Sequence, residues 1–155
     1  MQNLFNNYSL IIVTLHVISA VIWIGGMIAI RVAVHPSLQS VEDAKIKLGK
    51  TLEITGRLFK LVMPFIAILL ITAIIMILAL NLKGGVIYTK EAIWSIMTLN
   101  YSFMFYKRAK AQKLFDSGKL ADAKAEVKLI PNFLLPINII LGVVAIILGI
   151  SLRGY

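Results

Sequence analysis

The stretch LIIVTLHVISAVIWIGGMIAIRVAV, residues 10–34, decides the fold. Its only ionisable side chains are His16 and the late Arg31. A membrane-crossing helix needs about 20 apolar residues, and this run exceeds that length. An ionisable side chain well inside such a run is expensive to hold there, so it marks a functional position by default. The chain has two histidines, His16 within the run and His35 at its end, before Pro36.

Three further apolar runs follow, at residues 58–82, 86–106 and 129–152, and the first extends back to residue 8. The third is the least apolar, with Lys90, Glu91 and Asn100 inside it. Strand-like alternation is absent, and a lipid-embedded segment must pair its amides internally, so the runs read as helices. The fold class expected is all-α, an integral membrane four-helix bundle forming a single transmembrane domain over residues 1–155. Composition agrees: 59% of residues are hydrophobic and the mean hydropathy is +0.89, against roughly 45–50% apolar in soluble domains. The first run lacks a small-residue cleavage site and is expected to be a permanent span. With no cysteine, disulfides and thiolate metal sites are excluded.

The net charge of +9 reads first as topology. Loop 35–57 and its flanks carry Arg31, Lys45, Lys47, Lys50, Arg57 and Lys60. Loop 107–128 carries Lys107, Arg108, Lys110, Lys113, Lys119, Lys124 and Lys128. The opposite side has Lys83, Lys90 and Arg153. Basic loops stay in the cytoplasm, so both long loops are expected inside and both termini outside. The partners expected are the lipid bilayer and anionic lipids at the loops; the pattern does not suit nucleic acid. Residues 41–56 have helical spacing and predict a short interfacial helix or a helical extension. Span three should run past the membrane to a break at Ser117-Gly118, with a short helix from Leu120. Lys83-Gly84-Gly85 predicts a tight outer turn. Pro64, Pro131 and Pro136 lie near span starts, and Pro136 should bend the fourth helix.

On a helix, His16, Trp23, Met27 and Ile30 share one stripe with Ala20 beside it, and that stripe should face the interior. Gly25 and Gly26 leave room for a second backbone or a flat ligand. Histidine, aromatic wall and glycine gap suit a haem, and equally suit helix packing with one buried polar contact. Three roles stand open for His16: haem iron ligand, copper or other metal relay, and hydrogen-bonded structural residue. The two histidines are roughly 28 Å apart on a continuous helix, so they cannot share one metal. His35 reads as a headgroup-level residue beside Arg31, or as a rim contact for an anionic group together with Arg31 and Arg57. Asn100 and Tyr101 are candidates to bond a ligand or to pack between helices. Met27, Met63, Met76, Met97 and Met104 are scattered and read as core filler, although thioethers also suit copper. No nucleophile elbow or phosphate loop is present.

The run LHVISAVIWIGGM (residues 15–27), closed by Val34-His35-Pro36, resembles the first helix of two related groups of small bacterial membrane proteins. These are the haem-containing protoporphyrinogen IX oxidase family and the copper-resistance protein D family. Arg57-Leu58-Phe59, Tyr106-Lys107-Arg108 and Ile130-Pro131-Asn132 extend the likeness to the first group. The resemblance implies a bacterial inner-membrane protein binding haem b through His16, with electron transfer or small-molecule redox as its role. Trp23, Gly25, Gly26 and Met27 would lie at the cofactor, and a second axial ligand would come from another helix or from another copy in a homo-oligomer. The second group implies copper handling instead, and a non-catalytic scaffold or assembly subunit is a third expectation. Span three reads Tyr88-Thr89-Lys90-Glu91-Ala92 where the oxidase family has a Trp-x-His-x-Lys motif, so the likeness carries the scaffold rather than porphyrinogen oxidation.

Overall fold

Helices of this length need few stop signals, and the chain supplies them only at three connections. The computed structural model describes residues 1–152; Arg153, assigned above to the outer side, lies outside them. The first rod is α1 (Gln2–Ala29), a π-turn at Ile30–Val34 and α2 (His35–Gln39). The second is α3 (Ala44–Ala79) and the third α4 (Gly85–Asp116). The fourth is α5 (Leu120–Leu129), a second π-turn at Ile130–Leu134 and α6 (Leu135–Ser151). Among the described residues the fold is all-helical, with no strand.

Each break has a local cause. Asp43 caps α3, its carboxylate accepting from the Ile46 amide at 2.8 Å. Gly84 turns the chain into α4 at φ +119°, a conformation that side chains with a Cβ rarely adopt. Gly118, at φ +78°, separates α4 from α5, as expected from Ser117-Gly118. The extension reading of residues 41–56 is the one observed: α3 begins at Ala44 and runs unbroken into the second apolar run. Pro64 therefore lies well inside a helix rather than near its start. The bend expected at Pro136 takes another form. The irregularity is the π-turn just before it, which holds Pro131, and a matching π-turn precedes Pro36. A wide turn accommodates the carbonyls that a proline leaves without an amide partner.

The rods run antiparallel in sequence. Thr72 meets His16 and Leu58 meets Gly26 between α3 and α1. Phe59 meets Tyr101 and Leu52 meets Arg108 between α3 and α4. Asn138 of α6 meets Asn100 of α4. The core is Trp23, Met27, Leu52, Phe59, Val62, Met97, Tyr101, Met104, Ile130 and Leu135, all nearly inaccessible. Outward faces are strongly apolar: Val17, Val21, Leu61, Ile71, Ile140 and Ile147 are exposed. An exposed apolar surface of this extent needs a non-aqueous neighbour. Three rods, Gln2–Gln39, Ala44–Ala79 and Leu120–Ser151, are long and apolar enough to cross a membrane. Helix α4 is not among them, in keeping with its being the least apolar run; Lys90 and Glu91 interrupt it and its last third is basic.

The α4–α5 junction is tied by charge. Glu126 accepts from Lys107 at 2.7 Å and Lys110 at 2.5 Å, and its carboxylate is largely covered. The Lys107 and Lys110 ammonium groups hold the Glu126 carboxyl below its ordinary 4.5. A carboxyl depressed in the folded state stabilises it above the ordinary value and loses that contribution as pH falls through the folded one. Amide exchange in α5 should therefore be faster in Glu126→Gln than in the native chain at neutral pH. The difference should vanish only once pH has fallen below the depressed folded value, and an exchange difference that persists in stronger acid would refute the pairing.

Candidate ligand-binding site around His16

His16 lies half-buried on the face of α1 that meets α3. Its Nδ1 is 2.9 Å from Thr72 Oγ1. Thr72 is 4% exposed, and its hydroxyl faces two carbonyl oxygens of its own helix, Ile68 at 2.7 Å and Leu69 at 3.0 Å. A hydroxyl has one proton, so donation to the backbone leaves Oγ1 as an acceptor. The contact is a hydrogen bond in either ring tautomer: Nδ1–H donates to Oγ1, or the hydroxyl turns from its own backbone to donate to Nδ1. No hydrogen-bond partner of Nε2 occurs among the described residues. Three or more His, Asp or Glu side chains converge nowhere among the described residues. The donor set at His16 is thus a single imidazole nitrogen. One imidazole nitrogen does not complete a metal site built wholly from side chains; a group that brings its own ligands would need only this one donor from the chain.

Of the stripe expected to face inward, Trp23, Met27 and Ile30 are buried while His16 and its neighbour Ala20 are half-buried, and Ser19 joins the buried set. Trp23 is 1% exposed and stands edge-on to Tyr101, ring centroids 6.3 Å apart. Tyr101 stands edge-on to Phe59 at 5.4 Å and donates its hydroxyl to the Phe59 carbonyl. The Trp23 Nε1 donor is buried without a partner. The gap at Gly26 is filled by Leu58, whose Cδ1 would lie 2.7 Å from an added Cβ. Gly25 is exposed, with nothing within 4 Å of a Cβ built there. So the two glycines divide their roles: one seats α3 and the other opens outward.

Asn100 is drawn to α6 rather than to α1. Its Nδ2 donates to the Leu134 carbonyl at 2.9 Å and to Asn138 Oδ1 at 2.7 Å, while Asn138 Nδ2 donates to the Met97 carbonyl at 3.1 Å. This polar tie fixes the α4–α6 register. Of the three candidates for a rim site, Arg31 and His35 stand one turn apart on the first rod, and Arg57 lies on α3. His35 lines a small apolar cleft between the two π-turns with Ile30, Val34, Thr51, Thr55, Ile130 and others. Arg31 is half-exposed on the first π-turn. Arg57 is 80% exposed and pairs with Glu53 at 2.7 Å.

Thr72, which holds the His16 ring, was not among the residues expected at the site. Thr72 is the only polar side chain in residues 61–80, and that isolation was a readable signal. Arg108 donates from Nε and Nη2 to the Leu52 carbonyl at 3.0 and 2.9 Å, and Nη2 also donates to Gln112. It lies directly over Gly56, where a Cβ would come within 2.5 Å of Nη2. Only an arginine offers this planar fork, and the lysines around it do not. In comparisons with family models, curated proteins and solved structures, nothing matches this chain.

Proposed function

We propose that the chain is a multi-pass membrane four-helix bundle that binds one b-type haem through His16 and serves electron transfer or small-molecule redox. The observation that carries this reading is the uncommitted Nε2 of an imidazole anchored inside an apolar rod. Bound haem would supply one-electron chemistry at the iron, tuned by its axial ligand and the apolar shell. In this reading His16 would hold the iron, Thr72 would hold the His16 ring, and the Trp23–Tyr101–Phe59 cluster would keep water from the interior. The basic segments 35–57 and 107–128 lie in the cytoplasm against anionic lipid, with both termini on the other side of a bacterial inner membrane. A fourth crossing is then α4, carried by its neighbours despite Lys90 and Glu91.

Detergent-purified protein should show a Soret band that His16→Ala abolishes while the helical circular dichroism is retained. A protein that stays colourless when loaded with haemin, or a band indifferent to His16→Ala, would refute the reading. A second reading, a scaffold without cofactor, is favoured by one observation: Leu58 occupies the Gly26 gap that a flat ligand would use. Colourless, metal-free protein that copurifies with a larger complex is its expected signature, and copper in a colourless preparation would point to metal handling instead.

A further inference from the structure

Thr72 is the one polar side chain in residues 61–79 of α3, and it faces His16. Its own proton goes to the backbone of the preceding turn, so the hydroxyl presents only lone pairs to the ring. An Nε2–H tautomer would require the hydroxyl to give up its backbone acceptors and donate to Nδ1, or else set two lone pairs face to face at 2.9 Å. The Nδ1–H tautomer turns the same contact into a hydrogen bond. Building on the haem reading above, we propose that Thr72 is a positioning residue. It locks the His16 proton on Nδ1, fixes the ring plane against α3, and presents Nε2 as the ligand atom on the ring edge away from α3.

The consequence is directional. The ring nitrogens point to opposite sides, so a group bound at Nε2 lies away from the α1–α3 seam and not within it. The hydrogen bond also makes the imidazole a better donor, as the outer partner of a ligating histidine generally does.

The test uses the full chain in detergent, 15N-labelled at histidine. The His16 resonances are identified by their loss in His16→Gln, with His35 as the remaining histidine. Before haemin is added, the native chain should show the Nδ1–H tautomer alone. Thr72→Ser should keep it, and Thr72→Val should release a mixture or the opposite tautomer. With haemin added, Thr72→Val should bind about 10–100-fold more weakly and at a higher reduction potential, whereas Thr72→Ser should stay near the native chain. An Nε2–H tautomer in the native chain, or a Thr72→Val protein with unchanged spectrum, affinity and potential, would overturn the proposal. Should haemin fail to bind the native chain, the haem reading falls, and the tautomer measured without haemin still decides the role of Thr72.

Discussion

Trp23→Ala should cost about 3–5 kcal/mol of folding stability, the usual range for emptying a large aromatic site in a core. Trp23 is 1% exposed and lies against Tyr101, which in turn touches Phe59. Removing it opens a void where α1, α3 and α4 converge, and rigid rods cannot collapse to fill it. Trp23→Phe should be far milder. The Nε1 donor has no partner, so that substitution forfeits volume and no hydrogen bond. Unfolding in mixed micelles with increasing SDS, followed by circular dichroism, measures both variants. A loss under 1 kcal/mol for Trp23→Ala would show that the aromatic cluster is not the centre of the fold. A Trp23→Phe loss equal to that of Trp23→Ala would show that Nε1 has a partner.

Gly142→Leu should be the next most damaging change, at about 1–3 kcal/mol or more. Gly142 is buried on α6 where α1 and α4 both approach. A Cβ there would lie 2.7 Å from Ile24 Cγ1, 2.8 Å from Ile24 Cδ1 and 3.3 Å from Met97 Cε. The rest of a leucine has nowhere to go unless α6 moves off both neighbours. The Asn138 tie to Asn100 and the Met97 carbonyl, one turn away, resists that movement. Gly25→Leu is the matched control, because nothing lies within 4 Å of its Cβ position. The same SDS titration should separate the two by at least the lower figure, and equal stability would mean that α6 is not packed on α1.

The helical class and the four apolar runs were legible because periodicity and length are local properties of the chain. The break at Gly118 was legible because turn chemistry is local too. The start of α3 was less so. Residues 41–56 carry charge at helical spacing, and the sequence does not tell whether such a segment lies in the interface or continues a rod; Asp43 as a cap decides it. The π-turn before Pro136 was read as a bend at the proline itself, since sequence shows which carbonyl loses its partner and not how the backbone adjusts. At the site, the inward stripe of α1 followed from 3.6-residue spacing. What His16 touches did not follow, because the partner is 56 residues away on another helix. The grouping of Arg31, His35 and Arg57 rested on shared charge. It missed that Arg57 already has Glu53 four residues back on an exposed face.

The rods are longer than a bilayer's oily layer is thick. Helix α3 alone has 36 residues, roughly 54 Å at 1.5 Å per residue, against about 30 Å of hydrocarbon. Leu48, Leu52, Ala111, Ala123 and Val127 continue the buried core into the surplus, which is where the lysines gather. Helix α3 joins that stub to Thr72 through Pro64, where the rod lacks one backbone hydrogen bond and can flex between the stub and the His16 end.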